Sequence, residues 1–157
     1  MDVRPKKRLG QHFLADRRIA ERIVAQMQSV KGDTVIEIGP GTGVLTTLLV
    51  NRFGNDFHAV ELDSESVDYL CGQYPELADR IYLEDFLKMD LKARFEGEIS
   101  IIGNFPYNIS SQILVRVLDY RDQVKEVVGM FQREVGRRIC SGPGSKEDGI
   151  LSVLIGA

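Results

Sequence analysis

A chain of 157 residues with 43% apolar side chains is long enough for a sizeable core, and residues 1–157 read as one domain. Its net charge of −3 does not by itself suggest nucleic acid, no apolar run is long enough to cross a bilayer, and the first residues lack the apolar centre of a signal peptide. Cys71 and Cys140 lie far apart and His12 and His58 are isolated, so no metal-ligand spacing is present and a reducing, cytoplasmic setting is expected.

The charge is unevenly divided. Residues 1–22 hold seven basic side chains (Arg4, Lys6, Lys7, Arg8, Arg17, Arg18, Arg22) against three acids, a local +4 that leaves −7 for the remainder. A basic arm over 1–15 suits RNA phosphates, giving affinity without sequence choice. For the first eight residues a solubilising tail is the alternative. A helix is predicted over about 16–30. Thr34-Val35-Ile36-Glu37-Ile38 then reads as a buried strand, Gly39-Pro40-Gly41-Thr42-Gly43 as a turn, and 44–53 as a helix. Strand, glycine turn and helix open a nucleotide-binding, doubly wound α/β fold. The G-x-G-x-x-G fingerprint is not met, because Val44 takes its last slot, and there is no phosphate-loop lysine pattern. The turn therefore admits a ligand close to the backbone without being tuned to a pyrophosphate. Glu37, an acid inside a buried strand, is expected to hydrogen-bond the glycine loop or to face a cationic ligand.

Phe57-His58-Ala59-Val60-Glu61 is the second strand, and Glu61 at its tip lies 22 residues after Gly39, placed for ribose hydroxyls. Asp63, following Leu62, reads better as a helix N-cap. A third strand over 80–83 runs into Glu84-Asp85-Phe86, where Asp85 suits an adenine amino group and Phe86 a ring contact. A fourth strand over 99–103 leads into Asn104-Phe105-Pro106-Tyr107. A helix over 110–120, a fifth strand over 125–131, a helix from 132 carrying Arg133, Arg137 and Arg138, a loop over 141–146 and a sixth strand over 150–155 complete the chain. Units alternating at this length imply a parallel sheet with helices on both faces.

In such sheets ligands sit outside the carboxyl ends of the strands. Gly39, Glu61, Asp85 and Asn104 map to that edge on four successive strands, a convergence more specific than any one of them. The alternative is that each acid merely caps the following helix. Asn104 both donates and accepts hydrogen bonds, Pro106 holds the turn extended, and Tyr107 offers a face on which a base stacks. Taken alone, a strand ending in Asn-x-Pro is as easily an ordinary turn.

These residues in this order resemble the S-adenosylmethionine-dependent methyltransferases and, more narrowly, the small-subunit ribosomal RNA adenine dimethyltransferase family. The resemblance runs from Leu9-Gly10-Gln11-His12-Phe13-Leu14 through Glu37-Ile38-Gly39-Pro40-Gly41-Thr42-Gly43 and Asn104-Phe105-Pro106-Tyr107-Asn108-Ile109-Ser110-Ser111 to Met130-Phe131-Gln132-Arg133-Glu134-Val135. It implies a Rossmann-like methyltransferase domain of mostly parallel sheet, monomeric, with S-adenosyl-L-methionine as cofactor and 16S ribosomal RNA of the small subunit as partner, and with neither metal nor membrane. It further implies a cofactor site lined by Gln11, His12, Leu14, Gly39, Gly41, Glu61, Leu62, Asp85, Phe86 and Asn104, and a catalytic group of Asn104, Phe105, Pro106 and Tyr107. Phe105 stands where the family more usually carries leucine or isoleucine, a modest change if the residue acts through its backbone. Family members continue with a seventh strand and a helical domain, so the chain is expected to be part of a longer protein, its sixth strand an exposed edge.

The implied reaction is N6,N6-dimethylation of adenine in ribosome biogenesis. The Asn104 side-chain oxygen and the Phe105 carbonyl would accept the two amino N–H groups, and Tyr107 would stack on the extruded base. Phe131 offers a second ring surface or, more simply, a core side chain. Three other readings remain open: a large-subunit methylase of the antibiotic-resistance type, a nicotinamide oxidoreductase disfavoured by Val44, and a non-catalytic RNA-binding assembly factor.

Overall fold

The computed structural model describes residues 17–105, 109–131 and 149–154. In chain order these form α1 (Arg17–Ala25), β1 (Thr34–Ile38), α2 (Val44–Phe53), β2 (Phe57–Glu61), α3 (Ser64–Gln73), β3 (Ile81–Leu83), the short α4 (Leu91–Arg94), β4 (Ile99–Asn104), α5 (Ser110–Asp119), β5 (Val124–Phe131) and β6 (Gly149–Leu154). Single 3-10 turns span Gly54–Asp56 and Phe86–Lys88, and a longer one spans Pro75–Arg80.

The strands lie in the order β3-β2-β1-β4-β5-β6. Near-continuous apolar runs such as TVIEI and ISIIGN suit strands covered on both faces, and both are buried almost throughout. β1 pairs in parallel with β2 on one side and with β4 on the other, so Ile38 stands between Val60 and Gly103. The chain runs outward from β1 to β3, then crosses back to β4. That reversal leaves a crevice beyond the carboxyl ends of β1 and β4, where open α/β sheets bind their ligands.

Two apolar clusters sandwich the sheet. Ile23, Leu45, Leu49, Phe53 and Leu70 of α1, α2 and α3 pack with Val35, Ala59, Ile102 and Val128 on one face. Ile113, Leu114 and Val117 of α5 pack with Ile36, Ile38, Ile101 and Val127 on the other, together with Phe86, Leu91 and Phe95. Helices therefore cover both faces, as the alternation predicts.

Two features differ from the sequence reading. The first helix, expected to reach residue 30, ends at Ala25. Beyond it Arg52 donates to the carbonyls of Val24, Met27 and Ser29, and the buried Glu126 carboxylate accepts the N–H groups of Gln28 and Ser29. Those partners satisfy backbone groups that would otherwise need another helical turn. The sixth strand sits at the sheet edge as expected, but it runs antiparallel to β5, in register from Glu126 opposite Leu154 to Phe131 opposite Gly149. The helix predicted from 132 and the loop over 141–146 lie outside the described residues.

Candidate active site

The turn after β1 requires glycine. Gly39, Gly41 and Gly43 all take left-handed backbone angles, with φ of 70°, 58° and 90°. The Gly39 N–H donates to the Val60 carbonyl at 2.9 Å, which ties the turn to the end of β2. The Gly41 N–H donates to Glu61 Oε1 at 2.9 Å, while Glu61 Oε2 accepts from the N–H groups of Leu62 at 2.8 Å and Asp63 at 3.1 Å. Glu61 is 2% exposed. Burial pushes its carboxyl above the usual range and the three backbone donors pull against that shift. A carboxylate offers about four lone-pair positions, so three donors leave room for one ligand hydroxyl.

Glu37 is used differently from the expectation. Its carboxylate accepts from the Thr46 hydroxyl of α2 at 2.6 Å rather than from the glycine backbone. It points from β1 toward the first turns of α2, and Glu61, not Glu37, reaches the loop. Full burial raises the Glu37 pKa to about 8, with the nearby Glu61 adding to the rise and the Thr46 bond opposing it.

A cleft opens at the carboxyl ends of β1, β2, β3 and β4. Gly39, Glu61, Leu62, Asp85, Phe86 and Asn104, six of the residues singled out from sequence, line it together. Asp85 uses Oδ1 to accept the Leu87 N–H at 3.0 Å, capping the 3-10 turn that follows. The capping alternative is thus true of Asp85, and the residue faces the cleft as well. The Phe86 ring is both a wall of the cleft and a member of the core, 3% exposed. Asn104, 3% exposed, stands at the last position of β4 beside Met130 of β5. Phe105 is fully buried, its ring belongs to the core, and it does not line the cleft itself. Gly41, expected to line the cofactor site, does not line the cleft itself and reaches it only through its bond to Glu61. Gln11, His12, Leu14, Pro106 and Tyr107 lie outside the described residues.

Several wall residues were not singled out from sequence. Ile38 and Val60 come from the strand ends, and Ile109 and Ile113 from the start of α5, where their spacing of four residues puts them on one helical side. Glu84 also lines the cleft, its carboxylate 2.5 Å from Arg94 Nη1, with the Arg94 guanidinium 4.9 Å from the centre of the Tyr82 ring. Hydrogen bonding to Arg94 lowers the Glu84 pKa. Its place at a strand end directly before Asp85 was the signal available. Asp63, as predicted, caps α3 by accepting the Ser66 N–H at 3.0 Å. His58 is committed elsewhere, its Nδ1 3.0 Å from the Tyr82 hydroxyl. Among the described residues no cluster of His, Cys, Asp or Glu is built to hold a metal ion, and no helix is long and apolar enough to cross a membrane.

Comparison with known proteins accords with this geometry. The chain is 56% identical over 155 residues to the ribosomal RNA small subunit methyltransferase A of Parabacteroides distasonis, covering 99% of this chain and 58% of that protein. It therefore spans little more than half the length of such relatives. Among solved structures, a dimethyladenosine transferase from Plasmodium falciparum superposes with a TM-score of 0.71 at 22% identity, over 89% of this chain and 62% of that one. An RNA methyltransferase from Salinibacter ruber, solved with S-adenosyl-L-homocysteine, gives 0.67 at 15% identity, over 90% and 92% respectively. These likenesses show the fold, a Rossmann-like α/β sheet. The family model described as ribosomal RNA adenine dimethylase matches residues 3–157, and the chain belongs to that family.

Proposed function

We propose that this chain is the methyltransferase part of an enzyme that dimethylates N6 of adenines in small-subunit ribosomal RNA, with S-adenosyl-L-methionine as methyl donor. One observation carries the reading: Gly39, Glu61, Asp85 and Asn104, from four strand ends, line one cleft.

The cleft suits a nucleoside-bearing donor. Glu61 retains one acceptor position for a ribose hydroxyl, and the Asp85 carboxylate accepts an adenine amino group beside the Leu87 N–H it already holds. Ile38, Val60, Phe86 and Ile113 supply the apolar walls between which an aromatic ring is held. When bound, S-adenosyl-L-methionine supplies an electrophilic methyl group on a sulfonium, already activated for displacement.

What remains for the protein is to position the nucleophile. The amino nitrogen of the target adenine shares its lone pair with the ring and is a poor nucleophile in that state. The Asn104 side-chain oxygen and the Phe105 carbonyl accept its two N–H groups, favouring a tetrahedral nitrogen with its lone pair free to attack. In the first transfer both bonds strengthen as positive charge grows on that nitrogen, so they stabilise the transition state more than the ground state. Once the thioether has left, the methylated nitrogen sheds a proton to water, and the second transfer proceeds with one N–H still held. Tyr107 is assigned to stacking on the extruded base, in place of the neighbours lost from the RNA.

The test uses the full-length protein, undermodified small ribosomal subunits and isotopically labelled cofactor, with mass spectrometry of digested RNA. Labelled N6,N6-dimethyladenine in the small-subunit RNA is expected. Binding of the particle without transfer of label would contradict an enzymatic role, and label found only in a parallel reaction supplied with large-subunit RNA would redirect the specificity.

A further inference from the structure

Phe105 and Gly129 are next to one another in space although 24 residues apart in sequence. Gly103 of β4 stands in register opposite Gly129 of β5, and the Phe105 ring folds back across this glycine pair. A Cβ placed on Gly129 would lie 2.9 Å from Phe105 Cδ2, closer still to Phe105 Cε2, and against the Gly103 carbonyl oxygen. One placed on Gly103 would lie 2.6 Å from the Ile38 carbonyl oxygen and 3.3 Å from Phe105 Cε1. Real side chains do not approach so closely, so each glycine is required by space rather than by backbone angle. The volume that a side chain at 129 would take is filled by the Gly103 carbonyl oxygen, the nearest atom, together with the Phe105 ring.

The ring itself is fully buried, within the same apolar cluster as Ile38, Ile101, Ile113 and Val127. It is attached one residue after Asn104 and on the same peptide unit as the carbonyl assigned to the adenine amino group. A ring held in a packed core fixes its own backbone within tenths of an ångström, because close packing leaves few alternative rotamers. Displacing it moves both acceptors together, and a misplacement of about 1 Å at reacting groups costs on the order of a hundredfold in rate.

We propose that Gly129 is a positioning residue for methyl transfer: by lacking a side chain it admits the Phe105 ring, and the seated ring holds the Asn104 amide and the Phe105 carbonyl at the cleft. This rests on the catalytic reading of Asn104 and Phe105 given above. Residues 105 and 129 then form a size-matched pair, a large side chain on β4's exit matched by none on β5.

A double-mutant cycle tests it in the full-length protein, with single-turnover methyl transfer to undermodified small subunits and calorimetric cofactor affinity read for each variant. Gly129→Ala is expected to slow transfer about a hundredfold. Phe105→Leu, which leaves a gap over the glycines, slows it about fivefold, and both keep cofactor affinity within about threefold. The double variant, in which loss of the ring at 105 leaves room for β5 to shift and carry the methyl at 129 off the Gly103 carbonyl, transfers at least about tenfold faster than the product of the two single losses. Losses that simply multiply, an unimpaired Gly129→Ala, or a fall in cofactor affinity as large as the fall in rate would overturn the proposal. Should Gly129→Ala fail to accumulate as folded protein, recovery of folded protein by the double variant supports the pair and its failure overturns it. A wild type that transfers no methyl would sink the catalytic reading and the pair with it, whereas an active wild type with multiplicative losses would sink the pair alone.

Discussion

The Glu61 carboxylate closes the glycine turn from across the sheet: Oε1, at the tip of β2, accepts the Gly41 N–H at 2.9 Å from the loop that follows β1. The residue is therefore a brace between two loops before it is a ligand group. Only one of its acceptor positions is left over.

Glu61→Gln should consequently damage both roles. The amide NH2 must meet either the Gly41 N–H or the pair from Leu62 and Asp63, placing donor against donor in a buried position. We expect a loss of about 1–3 kcal/mol in unfolding free energy. Cofactor affinity should fall at least about tenfold, read by calorimetric titration. Unchanged denaturation midpoint and affinity would show that the carboxylate braces nothing.

Glu37 makes stability depend on pH. Its folded pKa of about 8 lies above the ordinary value of 4.5, so the folded protein holds a proton there that the unfolded chain gives up. The stabilisation linked to this group is complete below pH 4.5 and is lost as pH rises through about 8. Glu37→Gln keeps an oxygen for the Thr46 hydroxyl and removes the titration. Urea denaturation at pH near 5, 7 and 9 should show the variant gaining on the wild type as pH rises, and parallel profiles would contradict the assignment.

Glu126 anchors the segment that follows α1. Its carboxylate, wholly buried, accepts from the Gln28 and Ser29 N–H groups and from the Ser29 hydroxyl, which in turn lies 2.5 Å from Ser100 Oγ. Glu126→Ala leaves those donors without an acceptor and should cost about 3 kcal/mol or more. Chemical denaturation measures this, and a loss below about 1 kcal/mol would contradict the bonding described.

Local signals were legible. The glycine turn, the Asp63 cap and the strands ending in Glu61, Asp85 and Asn104 depend on neighbouring residues, and all six cleft residues from those stretches come together. Features set by distant partners were not. The early end of α1 depends on Arg52 and on Glu126, the latter 98 residues beyond Gln28. The Glu37 bond depends on which residue α2 presents nine positions later, and the direction of β6 on its pairing with β5. Phe105 shows the same limit, since its place in the motif says nothing of a glycine on the next strand.

On the proposed function, the cleft brings a bound methyl donor and an adenine amino group together at Asn104. Asn104→Ala removes the side-chain acceptor while leaving Gly39, Glu61 and Asp85 in place. Cofactor affinity by calorimetry should stay within about tenfold of the wild type, while no methylated adenine forms on undermodified small subunits in a single-turnover reaction. Methyl transfer retained by that variant at a rate near the wild type would contradict the role proposed for Asn104.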